Sequence, residues 1–206
     1  DVAPVGEPVV TTRQKAFFFS GLVVLWVGAD WPIHDLGENF LFSIHMTQHT
    51  LFSLVAPPLF LMGIPPWLLR FILQPKWLFA TVRFVTRPFI ALVLFNGVIV
   101  VTHWPTLVDA SLRSEPLHFT VHFVLVMSSV AMWWPVVAPL PETARLSEPS
   151  KMLYLFLQSV IPTVPASFLT FATDSIYRFY DSVPRLWGID LLTDQRMAGL
   201  IMKIGG

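Results

Sequence analysis

Six histidines and no cysteine define the chemistry open to this chain of 206 residues. His45 and His49 stand four residues apart, and so do His118 and His122. On a helix that spacing stacks two imidazoles on one face, one turn apart, where both rings can reach a single ion. Imidazole suits copper, zinc, iron and nickel. His103 follows a third apolar stretch, in His-Trp-Pro, and His34 lies in a loop. Met46 and Met197 offer thioethers nearby, and Asp194 and Gln195 offer oxygen or an acceptor that could orient an imidazole N–H. Each residue also has a plainer reading. His34 alone reads as an interfacial polar residue, His103 as an interface anchor, and Met46 as packing; Met127, Met132 and Met152 read as core or lipid-facing. Two histidine pairs at one depth favour a metal site with His45, His49, His118 and His122 as ligands, and with His103, Met197 and Asp194 as secondary ones. Without cysteine, disulfides, thiolate metal sites and cysteine nucleophiles are all excluded. No Gly-rich phosphate loop appears, and Ser128-Ser129 has no nearby base, so no enzymatic role is expected.

The elements that must carry these residues are set by composition. The chain is 54% hydrophobic and only 13% charged, with a mean hydropathy of +0.65. Soluble domains carry about 25% charged residues, so lipid is the expected solvent. Apolar stretches at about 16–31, 45–67, 87–104, 117–137 and 151–171, with another starting near Met197, approach the roughly 20 residues that a spanning helix needs. The expected fold is all-α: a polytopic transmembrane helical bundle of about six spans, one domain over residues 1–206 and cut short at the C-terminus after Gly206. The 18 prolines are tolerable in a membrane bundle, where neighbouring groups satisfy freed carbonyls. Asn96 and Gln158, deep in their spans, read as interhelical hydrogen-bonding partners. Trp133-Trp134-Pro135 reads as an aromatic belt at a membrane interface.

Lysine and arginine bias orients the bundle. If the spans alternate, Arg13, Lys15, Arg70, Lys76, Arg83, Arg87, Arg145 and Lys151 share one face with four acidic residues. The opposite face has Arg113, Arg178, Arg185 and Arg196 against nine acidic residues. The basic face is the cytoplasmic one, and every histidine falls toward the other, the periplasm or exterior. The expected location is a bacterial inner membrane, crossed several times. With zero net charge, no nucleic acid is expected as a partner.

Several segments together resemble the CtaG-type cytochrome c oxidase assembly factors, the polytopic membrane type. They are His45-Met46-Thr47-Gln48-His49-Thr50-Leu51 with Ala56-Pro57-Pro58-Leu59; His103-Trp104-Pro105 with Asp109-Ala110-Ser111-Leu112; Leu117-His118 to His122, running into Trp133-Trp134-Pro135; and Asp194-Gln195-Arg196-Met197-Ala198-Gly199. The resemblance covers about residues 40–204. It implies about seven membrane helices, each long enough to cross a bilayer. It also implies a role in maturing haem–copper oxidases by handling copper, as Cu(I) or Cu(II), with oxidase subunits as partners. An unrelated single-span copper chaperone of the same name uses cysteines, so its mechanism does not transfer. Two rival readings remain at this level. The chain could be a structural accessory subunit of a larger respiratory or photosynthetic membrane complex. It could also be a haem-binding membrane redox protein, with His49 and His122 as axial ligands.

Overall fold

The computed structural model describes residues 9–205. Asp1 and Glu7, two of the acidic residues in the charge comparison, lie outside these residues, as does Gly206 and with it the expected truncation. The described residues are helical with no strand. Three helices are long and apolar enough to cross a bilayer: Thr12–Asn39, Glu115–Val137 and Glu148–Phe171. Two further spans arise if each of two bent helix pairs counts as one. The all-α membrane fold expected from composition is therefore present.

Helix α1 (Thr12–Ala29) opens with a capping box, in which Thr11 and Gln14 exchange hydrogen bonds, satisfying amides that the first turn leaves free. A short α2 (Ile33–Asn39) follows. Next comes α3 (Phe42–Thr50), which carries the first histidine pair and runs through a π-helical turn, Leu51–Val55, into α4 (Ala56–Gly63). The chain bends by 99° into α5 (Pro66–Ile72). A second bend, of 78°, joins α6 (Lys76–Val85) to α7 (Pro88–Thr102). Then come α8 (Pro105–Ser111), α9 (Glu115–Val137), α10 (Glu148–Phe171) and α11 (Leu191–Gly205). The sixth expected stretch lies in α11, whose 15 residues run to the last described residue, Gly205.

Pro57 and Pro58 do not break the second stretch, for a local reason. A proline has no N–H for the carbonyl four residues earlier. The wide π turn opens the ladder just ahead of the two prolines, and the Trp133 indole N–H takes the freed Ser53 carbonyl at 3.0 Å. Trp134 is buried, with its indole N–H on Thr143 Oγ1. The Trp133-Trp134 pair therefore works inside the bundle. This corrects the expected aromatic belt.

Asn96 on α7 donates to Gln158 Oε1 on α10 at 2.6 Å, the interhelical bond expected of that pair. α10 and α11 pack so closely that a Cβ at Gly199 would sit 2.5 Å from Thr170 Oγ1 and 2.8 Å from the Ala166 carbonyl. That contact, with α11 against α3, fixes the end of the bundle where the histidines lie. The loops between the spans also group as alternation requires. Trp67 donates to the Val9 carbonyl and Arg70 to Glu142, joining the basic segments. Tyr180 donates to the Gly37 carbonyl, Tyr177 to that of His103, and the Phe179 amide to Asp109, joining the acidic ones.

Candidate metal centre

Helix α3 turns His45 and His49 inward, and α9 does the same for His118 and His122; all four are buried. The rings meet. His45 and His49 have centroids 4.5 Å apart, His118 and His122 4.2 Å, and His49 and His122 5.0 Å. His49 Nε2 lies 3.1 Å from His122 Nε2. One nitrogen from each of His45, His49 and His122 falls within 4.8 Å of the others. Four ligands about 2.0 Å from a tetrahedral ion stand roughly 3.3 Å apart, so a small side-chain contraction would close the trio on one ion.

The remaining histidines extend this trio into a row. His118 stands 5.4 Å from His45, ring to ring, and His34 stands 6.1 Å beyond His118. At the other end His103 is 5.4 Å from His49. His103 closes α7, where its Nδ1 faces the Ile99 carbonyl at 2.8 Å. That contact makes Nδ1 the donor and leaves the Nε2 lone pair free, the arrangement that orients metal-binding histidines elsewhere. All six imidazoles form one connected series.

Partners for their nitrogens are scarce. His45 Nδ1, His49 Nδ1 and both ring nitrogens of His118 are buried without a hydrogen-bond partner. A buried polar atom left unpaired costs roughly 1–3 kcal/mol. Several in one cluster are a stability cost that only an added donor or cation would relieve.

Two expected ligands lie elsewhere. Asp194 is fully buried, but its carboxylate oxygens accept the Phe42 and Ser43 amides at 2.8 and 3.0 Å. It anchors the first turn of α3, where a negative charge meets the positive end of the helix dipole. Asp194 thus positions the helix that bears His45 and His49; it is not one of the converging ligands. Met197 is 41% exposed and sits off the α11 stripe formed by Asp194, Ala198 and Met202. The thioethers beside the site belong instead to Met46, Met132 and Met202. With His49 and His103 these line a pocket of about 330 Å³. The haem alternative also meets a geometric obstacle. Two axial imidazoles must stand about 4 Å apart with a porphyrin plane between them, whereas His49 and His122 stand at 3.1 Å, the spacing of neighbouring ligands on one ion.

Two further residues, Gln48 and Glu38, shape the site without standing out as ligands in the sequence pattern. Gln48, fully buried, holds the Gly28 carbonyl and His34 Nδ1. Glu38 approaches both His34 and His118. The one signal is at Glu38, which follows His34 by four residues, the spacing of the two histidine pairs.

The comparisons with known proteins bear on nearly the whole chain. The family model described as cytochrome c oxidase caa3 assembly factor (Caa3_CtaG) matches residues 3–206. Two similar proteins, the uncharacterized Mb0105 of Mycobacterium bovis and the uncharacterized MT0111 of Mycobacterium tuberculosis, are each 25% identical over 179 residues, which take in 77% of this chain and 26% of theirs. The chain thus spans about a quarter of the length of these curated relatives. No solved structure matches.

Proposed function

The chain belongs to the family of cytochrome c oxidase caa3 assembly factors, and from that premise we propose that it carries copper as cargo for a haem–copper oxidase. The observation that supports this most strongly is the convergence of His45, His49 and His122 within one ion's reach. The donor set fits. Three imidazoles without thiolate form a borderline site that copper occupies more tightly than other divalent first-row ions. His45 and His49 each keep a buried ring nitrogen without a hydrogen-bond partner, so protein groups alone do not satisfy either imidazole.

In this reading α3 supplies two ligands in fixed register and α9 supplies the third. Asp194 holds α3 in place, and the Asn96–Gln158 bond ties α7, and with it His103, to the bundle. His103, its tautomer set by Ile99, is the next imidazole for a departing ion. The soft sulfurs of Met46, Met132 and Met202 flank that route and suit copper in its reduced state. A carrier must also release its ion, and a graded series of neighbouring donors provides for that. The lysine and arginine bias supports a histidine end facing the periplasm or exterior. Oxidase subunits are the proposed recipients.

The test is elemental analysis of detergent-purified protein after copper loading and gel filtration, wild type against His45→Ala/His49→Ala. The expected result is bound copper in the wild type and less of it in the variant, which has lost the tight site. Equal copper in both would remove the trio from the proposal.

A further inference from the structure

At its His34 end the imidazole row stops against a carboxylate that the trio does not use. Glu38 Oε1 lies 3.1 Å from His34 Nδ1 and 2.8 Å from His118 Nε2. The approach is close but misaligned for a hydrogen bond, and both Glu38 Oε1 and His118 Nε2 are left without a partner. His34 does not resolve the shortage. Gln48 Nε2 gives one amide hydrogen to the Gly28 carbonyl at 2.8 Å and faces His34 Nδ1 with the other at 3.1 Å. Nδ1 is thus an acceptor there, with no hydrogen for Glu38. A carboxylate oxygen and two imidazole nitrogens converge here without a hydrogen bond between the carboxylate and either ring, an arrangement that costs free energy unless a cation or a well-placed proton joins them.

Exposure grades along the same three residues. The side chains are 36% exposed at His34, 24% at Glu38 and 7% at His118. All three line a cleft of about 540 Å³, together with Gln48 and His122. The cleft therefore leads from half-open donors to a buried one, whose ring is 4.2 Å from that of His122 in the trio.

We propose that His34, Glu38 and His118 form a second metal site, a receiving site at the mouth of the cleft, which takes a divalent cation before it passes to His45, His49 and His122. This rests on the copper reading above and deepens it. A carboxylate beside imidazoles is a harder donor set than three imidazoles, and it suits a divalent ion, which passes to the trio without change of oxidation state. The present separations of 2.8 and 3.1 Å are close to the roughly 3.3 Å between neighbouring ligands of a tetrahedral ion. Binding asks His34 to exchange its Gln48 hydrogen bond for the ion, while Gln48 stays anchored on Gly28. His118 becomes the shared step: its Nε2 serves the mouth, and its ring lies against the trio.

The experiment is a Cu(II) titration of the whole chain in detergent. Bound copper is counted after gel filtration and its ligands are read by electron paramagnetic resonance. Wild type is compared with Glu38→Gln, His34→Ala and His45→Ala/His49→Ala. The expected result is two bound equivalents in the wild type. In Glu38→Gln and in His34→Ala the second equivalent weakens by about 10-fold or more, the scale of losing a partner at a metal site, while the first stays. The His45/His49 variant should do the reverse. A second equivalent undiminished in both Glu38→Gln and His34→Ala overturns the mouth site. So does loss of both equivalents from a Glu38→Gln protein that elutes and melts like the wild type, because Glu38 would then belong to a single shared centre. If Glu38→Gln does not fold, His34→Ala decides by itself, since His34 is partly exposed and Gln48 keeps its bond to the Gly28 carbonyl when that ring is removed. Failure of the copper reading looks different: the first equivalent survives in His45→Ala/His49→Ala.

Discussion

The two ends of the bundle handle polar groups in opposite ways. At the basic end, polar side chains are matched. Arg70 meets Glu142 at 2.8 Å, Lys151 meets Glu148 at 2.8 Å, and Trp134 finds Thr143. Most of these partners are exposed, and each contact satisfies the groups that make it. At the histidine end the balance fails. Six imidazoles and one carboxylate are drawn together, and several of their atoms are buried with nothing to bond. Polarity at the first end closes the structure. At the second it exceeds what hydrogen bonds within the chain satisfy among the described residues, which is one ground of the copper proposal.

The comparison breaks first, and hardest, at the trio. His45→Ala/His49→Ala should abolish tight copper binding at the trio in a detergent-solubilised protein that still elutes as a folded species, with a lower melting temperature because two buried rings leave a cavity; tight copper binding undiminished in that folded variant would remove the trio. Trp133→Phe should cost stability alone. It strips the Ser53 carbonyl of its donor at the proline-interrupted turn, so it should destabilise by about 1–3 kcal/mol in chemical unfolding with copper stoichiometry unchanged. Asp194→Asn should sit between the two. It weakens the anchor of α3 by about 1 kcal/mol and should lower copper affinity without changing the number of ions bound, as read by competition with a chelator. Arg70→Ala should cost least, no more than about 0.5 kcal/mol for an exposed pair. Its pH dependence sharpens the contrast. The amide of Glu142 itself and the Arg70 guanidinium hold the Glu142 carboxyl below its ordinary value. The pair's contribution is therefore present above the ordinary carboxylate range, near 4.3, and fades as pH falls through the lowered value. The difference between Arg70→Ala and wild type should close in acid, as followed by thermal melts at stepped pH.

Much of this was readable from the chain. Apolar length located the spans, and i,i+4 spacing put His45 with His49 and His118 with His122 on shared helix faces. Alternation then carried both pairs to one end. What escaped depends on contacts between residues far apart in sequence, which no periodicity reports. Asp194 lies 152 positions from Phe42, and nothing near it marks it as an anchor for α3 rather than a ligand. Met197 and Met202 are both methionines on α11, and only the packing of α11 on α10 and α3 decides which of them turns inward. The π turn before Pro57 is compensated by Trp133, 80 residues away, so the tryptophan pair reads as a belt until the bundle is assembled. His34 looks like an isolated loop residue because Gln48, its partner, is on another helix.

X-ray absorption at the copper edge, on protein loaded with a single equivalent, tests the central claim most directly. The expected spectrum shows a nitrogen shell near about 2.0 Å with the outer-shell scattering of three imidazoles, reduced in His122→Ala. A first shell without imidazole scattering, or one unchanged in His122→Ala, would contradict a site made by α3 and α9 together.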